Sequence, residues 1–228
     1  MYSIHETLKQ LRHLNLIFRT HPLGFIQCVF YEGNNEYRLN VWGSRFTRPK
    51  TPNWRIHTHR YAFDSQILLG RIQDCRYRLV PDGLPNRALF SVEYQSAGSS
   101  AQIATGILNL KTQARVAAVT KKVYSVGDTY SVLHSEFHSS RSLSPLSISL
   151  MRIRPVSEAI AIVVGPMNEE HLTMAYVPMQ VAYKDLEREI RAYLGIDSSR
   201  HVCTSSLGGE CPRPQTLSVA TSRLATVG

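Results

Sequence analysis

An all-β fold, a sandwich or barrel of short strands with one helix before it and one after, is predicted by three observations. Between Tyr37 and Val164 the chain breaks into short runs of β-branched, aromatic and alternating apolar residues. Turn signals fall at Gly33-Asn34-Asn35, Pro81-Asp82-Gly83, Gly98-Ser99-Ser100 and Gly127-Asp128. Helical three- and four-residue spacing is confined to the two ends, which argues against alternating βαβ units.

From the N-terminus, Ile4, Leu8, Leu11, Leu14 and Ile17 place an amphipathic helix over Ser3 to Phe18, and Pro22 breaks the pattern. Residues 1–36 thus read as a helix and lead-in. Predicted strands follow at Tyr37–Trp42, Trp54–His59, Ser65–Arg71, Cys75–Val80, Phe90–Gln95, Arg115–Thr120, Tyr130–His138, Ser147–Ile153 and Ala159–Val164, which make residues 37–165 the β unit. Residues 166–196 form an extension. In it Leu186, Ile190 and Leu194 mark a helix over Tyr183–Leu194, with Gly195 placed to end it. From residue 197 to 228 Ser, Thr, Gly and Pro dominate without periodicity, the composition of a disordered tail.

With 228 residues, of which 43% are hydrophobic, the chain can bury a substantial core. No apolar run approaches the ~18–20 residues that cross a bilayer, the longest being Ala159–Val164, and charged residues interrupt the first twenty positions where a leader would be apolar. Cys28, Cys75, Cys203 and Cys211 are widely separated and show no zinc-knuckle spacing. A soluble, cytoplasmic protein with free thiols is expected, without a membrane partner. The net charge of +9 favours anionic partners. Its arginines are nevertheless spread along the chain, so a small-molecule substrate is expected rather than nucleic acid.

Two histidine sets carry the functional signal. In Trp54-Arg55-Ile56-His57-Thr58-His59, strand alternation puts Arg55, His57 and His59 on one face. Two neutral imidazoles two residues apart can share one Fe, Zn, Cu or Ni ion. The second set runs from Gly127 to His138, where alternation groups Tyr130, Val132, His134, Glu136 and His138 unless a turn interrupts the run.

These two stretches resemble the paired motifs of the cupin superfamily, small jelly-roll barrels with one metal in the barrel mouth. The first family motif reads G-x5-H-x-H-x3-4-E-x6-G; here stand His57-Thr58-His59, Asp64 and Gly70, with Thr51 at the leading glycine. The second reads G-x5-P-x-G-x2-H-x3-N. Gly127 and His138 keep its spacing, while Leu133, Ser135 and Ser142 replace the proline, second glycine and asparagine.

The resemblance implies a cupin-type jelly roll and a metal held by His57, His59 and His138. Asp64 is a candidate fourth ligand in the manner of germins and quercetinases. The alternative register puts Phe63 at that position and leaves three histidines, as in the thiol dioxygenases. Fe(II) is the expected metal, with Ni, Zn, Cu and Mn as other divalent candidates. The activity implied is that of a non-haem iron dioxygenase or oxygenase acting on a small anionic metabolite. The competing readings are a metal-dependent isomerase or epimerase, with His134 as base, and a ligand-binding cupin without turnover. Arg55, Arg38 and Tyr130 are the candidate substrate contacts, Arg because its fork matches a carboxylate. No cysteine is placed to make the Cys–Tyr crosslink of cysteine dioxygenases. Edge pairing of such barrels makes a homodimer the expected assembly.

Overall fold

The computed structural model describes residues 16–43, 55–96, 104–155, 160–168, 171–176 and 180–196, together with Ile4, Glu6, Thr7 and Lys9 near the N-terminus. Among the described residues thirteen strands form two antiparallel sheets, with a helix following them. In chain order the strands are β1 (Phe18–His21), β2 (Phe25–Glu32), β3 (Asn35–Trp42), β4 (Tyr61–Leu69), β5 (Arg71–Val80), β6 (Arg87–Ser96), β7 (Ala104–Ser125), β8 (Thr129–Val132), β9 (Phe137–Ser142), β10 (Ser147–Pro155), β11 (Ile162–Gly165), β12 (His171–Tyr176) and β13 (Gln180–Val181); the helix is α1 (Tyr183–Tyr193). One sheet runs β13-β1-β2-β3-β10-β4-β8, and the other β11-β6-β7-β5-β9 with β12 added to β7.

The all-β expectation therefore holds, whereas the closed barrel does not: each sheet keeps its own edges and the two do not join into one. The N-terminal helix is also shorter than its periodicity suggested. Ile4, Glu6, Thr7 and Lys9 are helical, but Leu16 and Ile17 are not, and Phe18 opens β1. Pairing with β2 overrides the local preference there, because Phe18 opposite Cys28 is fully buried in the core. Residues 18–32, expected as a lead-in, supply two strands of the larger sheet. Two hairpins build this region. A three-residue turn ending at Gly24 (φ 85°) joins β1 to β2, and Gly33-Asn34 joins β2 to β3 with Gly33 at φ 57°.

Alternation splits the larger sheet into two chemically distinct faces. On β2 and β3, Ile26, Cys28, Leu39 and Val41 point to one side, where they pack with Ile148 and Leu150 of β10 and with Leu186 and Ile190 of α1. Phe25, Gln27, Asn40 and Trp42 point to the other side, into the space between the sheets. Helix α1 covers the first face. Its two buried side chains contribute on the order of 1.5–3 kcal/mol each. Asp185 in the first turn and Arg191 in the last complement the helix dipole. Gly195, at φ 67°, ends it as expected, with Gly195 N–H donating to Ala192 O and Ile196 N–H to Arg191 O.

In the second sheet β5 and β6 pair with successive halves of the 22-residue β7: residues 71–80 lie along 125–115 and residues 87–96 along 114–104. The Pro81-Asp82-Gly83 turn signal is thus an excursion between two strands that follow one line. The run Tyr130–His138 is divided into β8 and β9 by a turn at 133–136, with Glu136 N–H donating to Leu133 O. The predicted turn at 98–100, Trp54 and the tail from 197 lie outside the described residues. Among the described residues no helix is long and apolar enough to cross a membrane.

Candidate metal centre

The HxH segment is not a full strand. Residues 55–59 thread between β9 and β11, and His57 bridges both His138 and Val163. Its backbone is nonetheless well satisfied: His57 and His138 exchange N–H···O bonds of 3.0 Å, Thr58 N–H donates to Ile162 O, and Val164 N–H donates to Ile56 O. Extended geometry continues into β4, so Arg55, His57, His59, Tyr61 and Phe63 all project to one side. The double backbone bond to β9 is what carries His138, distant in sequence, onto the histidine pair.

His57, His59 and His138 place one ring nitrogen each within 4.8 Å of one another, close enough to hold one metal ion. Nε2 of His59 and Nε2 of His138 lie 2.9 Å apart, a distance at which two imidazoles share either one proton or one metal ion. With metal–nitrogen bonds of about 2.1 Å, two donors are about 3.0 Å apart for a right angle at the metal and about 3.4 Å for a tetrahedral one. The 2.9 Å separation is short enough for these two nitrogens to serve one ion.

The other ring nitrogens fix the orientation. His57 Nδ1–H donates to Arg55 O at 2.8 Å. His138 Nδ1–H donates to the buried Asp74 carboxylate at 2.8 Å. Both tautomers therefore direct an Nε2 lone pair at the centre. Asp74 also accepts from Ser140 Oγ at 2.9 Å and from Arg76 Nε. Burial alone would raise its pKa, but the hydrogen bond and charge of His138, with those of Arg76, outweigh burial and hold it below the usual range. Arg76 is itself fixed by Glu136 Oε2 and Ser131 O, each at 2.7 Å. Glu136 thus acts two groups behind His138.

Burial pushes the His57 pKa down to about 3, assisted by the charge of His138, although the ring edge reaches the cavity. His59 is lowered as well, by burial and then by His57 and His138. At neutral pH both rings are neutral, so a metal meets no imidazolium charge on them. The donor set fits a divalent transition ion: three imidazoles, His57 and His138 pre-oriented through Nδ1, and a buried counter-charge behind His138.

The remaining expected residues separate clearly. Tyr130 lines the same cavity, buried, stacked on Tyr124 with centroids 4.4 Å apart, and burial lifts its phenol to about 12. Arg55 also lines it, exposed at the rim. Arg38 lies behind Tyr61, donating to its hydroxyl at 2.7 Å and pairing with Glu36, so it does not line the cavity. Asp64 turns away from the histidines and is held by Ser131, Arg152 and Arg154. Phe63, the alternative at that motif position, faces the histidines, its ring centroid 5.1 Å from His59 and 5.7 Å from His138. His134 sits in the turn before β9 and reaches the centre through its backbone, accepting from His59 N–H. Of the apolar residues Tyr130, Val132, Leu68 and Ile67, Tyr130 alone lines the cavity; Val132 and Ile67 pack behind it and Leu68 faces α1.

The sequence reading assigned no role to Asp74, Arg76 or His21. Asp74 and Arg76 follow Ile72 at alternate positions of a strand, a buried-acid signal that a face count of β5 reveals. His21 carries no local signal, because only the β1–β2 hairpin brings it to the cavity.

The chain matches no protein-family model, and comparison with curated proteins finds no match.

Proposed function

We propose that this chain is a mononuclear metal-dependent oxygenase of the cupin type. In this reading His57, His59 and His138 hold Fe(II), and the substrate is a small anionic metabolite. One observation carries it: three imidazoles, from two distant stretches of chain, converge beside a cavity of about 280 Å³, with the His138 tautomer set by Asp74 and that of His57 by the Arg55 carbonyl. The likeness of the HxH and Gly127–His138 spacings to the cupin motifs adds to it.

Fe(II) held by His57, His59 and His138 would supply open coordination positions for substrate and dioxygen. The chain's own residues account for the rest. Asp74 holds the His138 proton at Nδ1 and balances positive charge at the centre. Arg55 at the rim presents a fixed cation to an anionic group. Tyr130 keeps its phenolic proton at neutral pH and is a donor, not an anion. Phe63 and Trp42 shield the centre from bulk water.

The test is dioxygen uptake by the Fe(II)-loaded protein across a panel of small carboxylates and thiols. Uptake that depends on one substrate and disappears in His57→Ala supports the proposal. Turnover without dioxygen, with exchange of solvent deuterium into product, replaces it with isomerase chemistry; metal retention with no turnover on any of them leaves a ligand-binding protein.

A further inference from the structure

The same cavity carries hydrogen-bonding groups that the metal centre does not use. His21 lies on its wall, stacked on Phe25 with ring centroids 4.1 Å apart and planes 11° from parallel. Its Nδ1 accepts from Leu23 N–H at 3.3 Å, so the proton of the neutral ring sits on Nε2. Burial, with help from the charge of Arg38, pushes its pKa down to about 3, and the ring is neutral at any physiological pH. Among the described residues nothing accepts from that Nε2–H. The Arg55 guanidinium, on the same cavity, also has no hydrogen-bond or ion-pair partner among them. Nearby polar groups are already committed: Gln27 Nε2 donates to Asn40 Oδ1 at 2.8 Å, and Asn40 Nδ2 donates to Met151 Sδ.

The charge balance of the walls is one-sided. No Asp or Glu among the described residues lines the cavity, whereas Arg55 and Arg141 do. The one carboxylate close to the centre, Asp74, is behind His138 and neutralised by Arg76. Aromatic rings of Phe25, Trp42, Tyr61 and Phe63 supply most of the remaining wall. A neutral donor on the wall of an aromatic cavity whose walls offer it no acceptor suits a ligand that brings the acceptor.

We infer that His21 is a substrate-positioning residue: its Nε2–H and the Arg55 guanidinium together select a planar molecule bearing an anionic oxygen, whose ring lies against the aromatic wall. The inference rests on the proposed function only in taking this cavity as the substrate site; it does not depend on which metal is bound. A neutral donor discriminates differently from a second cation. It rewards an acceptor oxygen without drawing in any anion that happens to be charged, and a site built to hydrogen-bond one group rejects analogues that lack it.

The experiment uses benzoate as probe, with benzyl alcohol and benzylamine as size-matched controls, titrated calorimetrically into the full chain. Wild type binds benzoate in preference to both controls. His21→Phe keeps the stack on Phe25 but removes the donor, and benzoate binding weakens by about ten- to a hundred-fold while binding of benzylamine, protonated and without an acceptor, is unchanged. Arg55→Gln has a comparable effect. Metal content, measured on the same samples, stays at the wild-type level in His21→Phe, which separates failure of this inference from failure of the metal centre. A readout that needs no variant is the His21 Nε2–H proton resonance of the wild type, which moves downfield on adding benzoate. Equal binding of benzylamine and benzoate overturns the inference, as does no benzoate binding by wild type, undiminished binding by His21→Phe, or an unmoved His21 resonance.

Discussion

Replacing Asp74 with Asn keeps the shape of a buried side chain and removes one negative charge. Three donors converge on this carboxylate: His138 Nδ1–H, Ser140 Oγ–H and Arg76 Nε–H. Arg76 keeps Glu136 and the Ser131 carbonyl, so the variant does not leave a guanidinium stranded. What is lost is the charge that makes His138 a stronger donor to a metal and the oxygen that accepts from Arg76 Nε–H; the carboxamide oxygen still accepts from His138 Nδ1–H. Substitutions of this kind typically cost 10–100-fold in metal affinity, which is about 1.4–2.7 kcal/mol. Competition between the protein and a chromophoric chelator for Co(II) measures it directly. The expected outcome is a Kd raised by one to two decades, with Asp74→Ala worse than Asp74→Asn. Folding stability falls in parallel by about 1.5–3 kcal/mol, the worth of a hydrogen bond to a charged group. If the variant loses stability but binds Co(II) as tightly as wild type, Asp74 is a structural anion only and takes no part in tuning the centre.

Other parts of the molecule carry three more tests. In chelator-treated protein, acid destabilises the fold well above the carboxylate range: His21, His57 and His59 have folded pKa values below the unfolded 6.5, so between pH 6.5 and about 3 the unfolded chain binds more protons. Stability therefore declines from pH 6.5 to 4.5 by at most about 1.4 kcal/mol per pH unit per histidine, whereas the contribution of Asp74, whose pKa is depressed, is lost only at lower pH; urea midpoints that stay flat over this window contradict the neutral, buried rings. Gly70→Ala lowers the urea midpoint, since Gly70 has φ 71° and an added Cβ overlaps the Leu146 carbonyl oxygen; left-handed strain alone costs about 1–3 kcal/mol, and a neutral result refutes the close approach. Leu186→Ala removes a fully buried side chain between α1 and the large sheet and costs about 2–5 kcal/mol in chemical denaturation; a loss under about 1 kcal/mol means the helix is not docked there.

Much of this architecture is legible in local pattern. Alternation and turn residues locate β3, β5, β6 and β10 to within a few positions, and the Leu186–Ile190 spacing with Gly195 marks α1 and its end. Three failures arise where tertiary contacts rather than local alternation decide the structure. β2 reads as an unpatterned apolar run because both of its faces are covered: Ile26 and Cys28 by the helix-side core, Phe25 and Gln27 by the cavity. β7 is longer than its Arg115–Thr120 kernel because β5 and β6 together template 22 residues of it. Segment 55–59 looks like a strand yet makes only single bridges, since it is inserted between two strand ends.

The site is legible in the same proportion. His57 and His59 are paired by parity alone, but the parity that groups His134 with His138 fails, because a turn at 133–136 intervenes. The choice between Asp64 and Phe63 needs the fold: β4 turns Phe63 inward, and Ser131 with two arginines holds Asp64 on the opposite face. Asp74 is silent in sequence because its meaning comes from a cross-strand neighbour, Ser140, and from the His138 ring beside it.

Convergence of three rings on one ion is the premise beneath both the oxygenase proposal and the role of Asp74. Elemental analysis of purified wild type, His57→Ala, His59→Ala and His138→Ala, each prepared with the same Fe(II) loading and desalting, tests that most directly. Near one transition ion per wild-type chain and a large loss in all three variants is the predicted result. A wild type that retains no metal, or any one variant that retains the full amount, contradicts it.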